Sequence, residues 1–530
     1  MPEYLAPGVY IEEVATGPRP IEGVSTSTAG FVGETERGTT RPTLVTSWTD
    51  FQRTFGGYLD RPPFNAPPAN ATNIFLPYAV RGFFDNGGQR LYVARVVGAG
   101  AVSANGDLGN CAVEATGEGI WGNNVLVTVQ PASAARAGTS TADWFRISVF
   151  YYRDGVISPV DPTDPKLLGN PQRLDPTAYE DFDNLTAQPT DQNFALATVN
   201  AGSQLIRMLT CTARPGDAPF PGVRLQNGAA IAATLTEYLD DAQPDPELRR
   251  GLAGLSVIKD ISLIAAPDDV LIDDLKGKLI ENCEAMKDRF AIISANKNIA
   301  NTSQLRPIRD TTYAGFYYPW VRVLAPHTPD GHLLVPSVGH VTGIYARTDV
   351  ERGVHKAPAN EVIRGIVTRD FKNYKPLEFT LNKRDQDILN PRGVNVIRDF
   401  RSDGRDIRVW GARTMTSDAM WKYINVRRLF IFIEQSIDRG TQWSVFEPNS
   451  EPTWSAIRTS ITNFLRTVWR NGALMGTTQD EAFFVKCDRT TMTQDDFDNG
   501  RLICLIGVAP VKPAEFVIFR ISQKTVEAES

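Results

Sequence analysis

Residues 251–295, GLAGLSVIKDISLIAAPDDVLIDDLKGKLIENCEAMKDRFAIISA, carry the pattern that decides the fold. GLAGLSVIKDISLIAAPD (251–268) reads as a helix followed by a strand, LIDDLKGKLIENCEAMKD (271–288) as an amphipathic helix, and RFAIISA (289–295) as the next buried strand. Helices alternating with strands imply a sheet covered on both faces. A doubly wound α/β layer is therefore expected over 246–415.

Upstream, residues 21–97 read as a second α/β stretch. AGFVGETERG (29–38) is a strand and turn, SWTDFQRTFGG (47–57) a short capped helix closed by glycine, and FLPYAVRGFFDNGGQRLYVARVV (75–97) a helix, turn and strand. Between these blocks, 98–245 shifts to Gly, Ala, Asn, Asp, Pro and Thr, with short alternating runs such as NVLVTVQ (124–130) and WFRISVFYYRDG (144–155). That texture predicts an all-β insertion with polar loops. From 416 onward come two helices and a set of strands, ending in the alternating run EFVIFRISQ (515–523).

The whole chain has 530 residues, 42% hydrophobic and 22% charged, with 42 glycines, the balance of an ordinary globular protein. At roughly 150 residues per domain this length holds about three or four units. A net charge of −6 gives no global basic surplus for nucleic acid. No apolar run approaches the roughly 18 residues of a membrane span, and MPEYLAPGVYIEE has no apolar leader, so a soluble, cytoplasmically made chain is expected. Cys111, Cys211, Cys283, Cys487 and Cys504 are scattered and odd in number, which points to free buried thiols and to neither zinc nor a disulfide framework. The sequons at Asn70, Asn184 and Asn301 carry little weight without a secretion signal.

A search for catalytic chemistry returns little. The four histidines, His327, His332, His340 and His355, fit no zinc spacing, and no G-x-S-x-G elbow supplies a nucleophile. A serine-type hydrolase in 246–415 with His340 as base and Asp349 or Ser337 nearby is an alternative; packing histidines are the expectation. Gly117, Gly119 and Gly122 spell G-x-G-x-x-G but lead into a strand, which makes them turn residues. The GKL at 277–279 lies inside a helix, and the pairs Asp240/Asp241 and Asp268/Asp269 read as solvated loop or helix-start charges. No catalytic, cofactor-binding or metal residue is assigned, and no cofactor.

The remaining signals suit a polymer subunit. In APGVYIEEV (6–14), Val9 and Ile11 face one side and Tyr10 and Glu12 the other; at the far end Phe516, Ile518 and Arg520 alternate with Val517, Phe519 and Ile521. Such terminal strands can add to a neighbour's sheet edge; about five backbone bonds at roughly 0.5–1.5 kcal/mol each give several kcal/mol per arm. In the helix from Pro452, Trp454, Ile457, Ile461, Phe464, Leu465, Val468 and Trp469 recur at helical spacing, with Arg458, Thr462, Arg466 and Arg470 as a stripe on the other side. Residues 390–475 hold 13 Lys+Arg against 8 Asp+Glu. The stripe reads either as a solvated face or as a contact for an acidic partner. A third alternative treats 98–245 as an adhesin-like binding module.

Motifs along nearly the whole chain resemble one family, the sheath proteins of contractile phage tails and related injection systems. They are PGVYIEEV (7–14), FLPYAVRGFFDNGGQRLYVARV (75–96), GIWGNN (119–124), GLAGLSVIKDISLIAAPD, YYPWVRV (317–323), VPSVGHVTGIYARTDVERGVHKAPANEVIRG (335–365), NPRGVNVIRDF (390–400), IRVWGARTM (407–415), YINVRRLFIFIEQSI (423–437), VFEPN (445–449) and GVAPVKPAEFVIFRISQ (507–523). His355 stands where the family tends to have Trp, which favours a packing role.

The resemblance implies a structural protein and not an enzyme. Its subunits stack as six-membered rings around an inner tube, on a baseplate and under a terminator or cap protein, and contract to drive the tube into a cell envelope. It implies no nucleic-acid partner and no direct membrane insertion, with assembly in the bacterial cytoplasm. The implied fold is multidomain α/β: an inner α/β domain built from both chain ends, a non-proteolytic subtilisin-like domain and an outer all-β insertion. The corresponding division is a linking arm at 1–20, a core part at 21–97, the insertion at 98–245, the subtilisin-like domain at 246–415, a tube-facing domain at 416–514, and a terminal strand and arm at 515–530. Val9, Tyr10, Ile11, Phe516, Ile518 and Phe519 are the expected inter-subunit arm residues, and Arg458, Arg466 and Arg470 the tube-facing candidates.

Overall fold

A computed structural model describes residues 20–59, 74–133, 143–299, 301–326, 328–369 and 375–520. The chain divides into two compact units. The larger is Ser25–Arg427; the smaller draws on both chain ends, 1–24 and 428–530, of which 20–24 and 428–520 are described.

The stretch that decided the fold behaves as its periodicity predicts. Gly251–Val257 is a helix, Leu263–Ala265 a strand, Leu275–Met286 a helix and Phe290–Ser294 a strand buried at all five positions. These strands sit in the middle of a nine-stranded sheet. Six strands run parallel in the spatial order Leu91–Val96, Ala29–Glu34, Leu263–Ala265, Phe290–Ser294, Ala314–Tyr318 and Val394–Asp399. Thr43–Val45 closes one edge antiparallel, and Ile407–Val409 with Glu361–Val362 closes the other.

The 21–97 and 246–415 segments thus share one sheet. Ala29 pairs with Leu263 and Phe31 with Ala265 across the sequence gap that the insertion occupies.

Alternation along each strand feeds two cores, with Phe31 and Ile292 pointing to one face and Val32 and Ile293 to the other. On the first face lie the helices Trp48–Phe55, Leu76–Asp85 and Val338–Arg352; on the second, Leu235–Leu239, Gly251–Val257, Leu275–Met286 and Lys383–Leu389. Leu76–Asp85 and Val338–Arg352 cross closely. A Cβ on Gly339 would enter the backbone of Ala79, and one on Gly343 the carbonyl of Phe83, so only glycine permits this approach.

Within the insertion, residues 104–225 build a core of their own. One four-stranded antiparallel sheet joins Ala218–Arg224, Val125–Pro131, Trp144–Tyr151 and Ala178–Thr186, and a three-stranded sheet joins Asn105–Asp107, Cys111–Ala115 and Ile206–Cys211. Trp121, Val127, Ile147 and Met208 are buried between them. Two corrections arise here. The insertion is not all-β, because Ala195–Gly202 forms a helix that buries Ala195 and Val199, an i, i+4 pair too short to stand out as periodic. Nor are all the cysteines free: Cys111 and Cys211 are bonded, their Cα atoms 4.0 Å apart although 100 residues separate them. They are register partners on adjacent antiparallel strands, a non-local pairing that spacing in the sequence does not expose. The insertion is tied to the large sheet by the Arg153–Glu36 ion pair at 2.7 Å, from the loop after Ala29–Glu34, and by Arg95–Glu118 at 3.1 Å, from the strand Leu91–Val96.

In the smaller unit, Ile21 packs on Gly440 and the Val24 amide donates to Ser436 Oγ at 3.1 Å, so the described part of the N-terminal segment lies along the helix Ile424–Thr441. The helix Glu451–Arg470 follows, then an antiparallel hairpin, Phe483–Lys486 with Leu505–Val508. The terminal run expected to pair as a strand from Phe516 lies partly outside the described residues, which end at 520. Residues 516–520 form no strand here, since an alternating run becomes a strand only when a sheet edge pairs with it.

Candidate assembly surface

The helix Glu451–Arg470 starts where its sequence says: Ser450 precedes it in extended conformation, Pro452 occupies the first turn and Glu451 places a negative charge at the positive end of the helix dipole. Its apolar side buries Trp454, Ile457, Ile461, Phe464, Leu465 and Val468. Trp454 Nε1 donates to Asn449 Oδ1 at 2.7 Å, which fixes the ring and the entry of the chain.

The arginine stripe lies on the opposite side as spaced, but its members differ. Arg458 Nη1 donates to the carbonyl of Cys487 at 3.0 Å, and its guanidinium stands 3.9 Å from Glu451. Arg466 Nε donates to Gln479 Oε1 at 3.1 Å and Nη1 to Asn463 Oδ1 at 3.2 Å. Both therefore tie the helix to the segment that folds back over it. Arg470, in the last turn, is exposed.

Beyond the hairpin the chain is pinned at Ala509 and Val511. The Met475 amide donates to the Ala509 carbonyl at 2.8 Å, and the Val511 amide to the Ala473 carbonyl at 3.1 Å. Phe516, Val517, Ile518 and Phe519 then stand 69–83% exposed. Such a run of exposed apolar side chains is a feature of interaction surfaces. Val9, Tyr10 and Ile11 lie outside the described residues.

The sequence reading passed over Phe446. It is fully exposed, at 102%, and holds φ +68°, a left-handed conformation that a bulky residue rarely adopts. Within the quoted VFEPN the residue is visible, but only the backbone reveals its strain.

The catalytic alternative does not survive the geometry. His340 is 1% exposed in the helix crossing, Ser337 is wholly buried one turn before it, and burial pushes the imidazole down to about 4. Asp349 lies nine residues along the same helix, about 13 Å away along its axis. No substrate reaches this group. His332 is buried with Arg322 Nη1 3.3 Å from its Nδ1, and His355 is half-buried, with burial and Arg352 lowering its pKa; His327 lies outside the described residues. Gly117, Gly119 and Gly122 form the turn before Val125–Pro131, with Gly119 at φ +130°.

Asp268 and Asp269 correct the solvated-loop expectation, being 0% and 4% exposed. Asp268 follows Leu263–Ala265, and Glu34 ends the neighbouring strand, at the point where chain order reverses across the sheet and where α/β folds commonly open a ligand crevice. Here the crevice is filled. Asp268 Oδ1 accepts the Phe75 amide at 2.6 Å, Oδ2 lies 3.4 Å from the Tyr238 hydroxyl, and burial raises the acid to about 8. Burial raises Asp269 to about 7, opposed by Lys276 at 3.8 Å. Among the described residues no group of three or more His, Cys, Asp and Glu could hold a metal, and no helix is long and apolar enough to cross a membrane.

Comparison with known proteins gives a consistent result. Residues 247–415 match the family model described as the phage tail sheath protein central domain, and 416–524 that of the phage tail sheath C-terminal domain. The tail sheath protein of Vibrio phage KVP40 is 26% identical over 274 residues, 51% of this chain and 37% of its own. A putative prophage major tail sheath protein of Pseudomonas aeruginosa is 26% identical over 188 residues, 35% of this chain and 45% of its own. The match thus spans less than half the length of these relatives. The contracted helical sheath of the anti-feeding prophage aligns with a TM-score of 0.56 at 24% identity, over 98% of this chain and 100% of that one, a likeness of fold.

Proposed function

The chain belongs to the phage tail sheath family, a structural family, and we propose that it is the subunit of a contractile sheath. In this reading it polymerises as stacked six-membered rings around an inner tube and contracts to drive that tube through a cell envelope. The exposed run Phe516–Phe519 carries the proposal. Each large apolar side chain gains about 1.5–3 kcal/mol on burial, and backbone pairing to a neighbour's edge adds about 0.5–1.5 kcal/mol per bond. A second copy of the chain supplies both.

Val9, Tyr10 and Ile11 are the proposed partner arm, joined with Phe516, Ile518 and Phe519 between subunits. Arg470, with Arg458 and Arg466 before it on the same helix, is the proposed tube-facing group. The 98–245 insertion decorates the outside, and 246–415 is the subtilisin-like part. Baseplate and terminator proteins are the proposed end partners, and assembly takes place in the bacterial cytoplasm as part of a phage tail or injection particle. Negative-stain electron microscopy of the purified full chain tests this: striated tubes are expected, and monomers alone at every protein concentration and salt would contradict it.

A further inference from the structure

We propose that Cys487 and Cys504 form a latent cross-strand disulfide, closed by a small-molecule disulfide oxidant and reopened by thiols. The hairpin pairs Phe483 with Val508, Val485 with Ile506 and Lys486 with Leu505. Extended by one step past the last paired residues, Lys486 and Leu505, the same register brings Cys487 opposite Cys504. Directly opposed residues on antiparallel strands have Cα atoms about 4.5 or 5.5 Å apart, within the span of about 4.4–6.8 Å that a disulfide bridges. The side chains also meet, since Cys504 packs on the buried cluster of Trp454, Cys487 and Met492. Elsewhere in the chain the same cross-strand arrangement is already closed, at Cys111 and Cys211.

Cys487 is buried and Cys504 only half-buried, so Cys504 meets the oxidant first. Its thiolate displaces one thiolate from the oxidant and forms a mixed disulfide. The Cys487 thiolate then attacks the Cys504 sulfur, which forms the Cys487–Cys504 bond and releases the second thiolate. The two cysteine protons pass to the released thiolates, and the two electrons lost by the pair reduce the oxidant. Burial raises both thiols, Cys504 to about 12, so exchange is slow at neutral pH and quickens as pH rises. Closure makes a loop of residues 488–503 and fixes the strand from which the C-terminal segment runs.

The test uses the full chain incubated with oxidised glutathione or with dithiothreitol, then denatured, alkylated with iodoacetamide, digested and read by mass spectrometry. The oxidised sample should yield a linked Cys487–Cys504 peptide with alkylation lost at both, the reduced sample should regain it, and Cys283 should be alkylated in each. C487S should stop at a glutathione adduct on Cys504. The inference is overturned if both cysteines stay alkylated while Cys111 and Cys211 are linked. An unresolved adduct on Cys504 in the unmutated chain, or a Cys504 bond between two chains, overturns it equally.

Discussion

Arg458 donates to the main-chain carbonyl of Cys487 at 3.0 Å, so an arginine spaced for an outward face also clamps its helix to the hairpin behind it. Its neighbour Arg466 donates instead to the side-chain oxygen of Gln479, just before that hairpin. These contacts separate the arginines into two kinds. Arg458→Ala should lower stability by about 1 kcal/mol, since a charge-assisted bond that is partly solvent-exposed is worth less than a buried one. Arg470→Glu, at an exposed position, should change it by no more than about 0.5 kcal/mol and instead weaken assembly on a tube. Urea unfolding of the two variants, paired with co-sedimentation, distinguishes them.

Gly339 and Gly343 set the distance between Leu76–Asp85 and Val338–Arg352. Gly343→Ala puts a methyl group against the Phe83 carbonyl and should cost about 1–3 kcal/mol through overpacking. An unchanged thermal midpoint would mean that the helices part without penalty.

The buried acid Asp268 gives a pH dependence of definite sign. Its folded pKa, about 8, lies above the usual value for an unfolded aspartate, about 3.9. Between those values the folded chain retains a proton that the unfolded chain releases, so this group's contribution falls as pH rises from about 4 to about 8, by at most about 1.4 kcal/mol per pH unit. Asp268→Asn, which can still accept the Phe75 amide, removes that slope. Relative to the unmutated chain, the variant should gain in thermal midpoint between pH 5 and pH 8, and a constant difference would refute the assignment.

The Cys111–Cys211 bond closes a separation of 100 residues within the insertion. Its reduction should destabilise that part by about 2–5 kcal/mol, read as increased hydrogen exchange in Trp144–Tyr151 and Ile206–Cys211 on adding dithiothreitol.

Features set by local periodicity were legible in the sequence, and those set by distant partners were not. The helices and strands of 251–295 follow from spacing, and the arginines do share one face of their helix. Spacing could not show that residues 479 and 487 return to meet that face, nor that Ala29–Glu34 pairs with Leu263–Ala265 across the whole insertion. Asp268 and Asp269 looked like a solvated turn because a local reading of APDD does not see Tyr238 and Phe75 meeting Asp268 or Lys276 meeting Asp269. Phe516–Phe519 reads as a strand, and its alternation is real; what is missing within one chain is an edge to pair with.

The most direct measurement compares the full chain with a chain ending at Glu515, at equal concentration, by thermal unfolding and by electron microscopy of the assembled material. The expected result is an unchanged thermal midpoint for both, with coherent striated tubes from the full chain and none from the shortened one. Coherent tubes from the shortened chain would contradict the role assigned to the terminal segment in joining subunits.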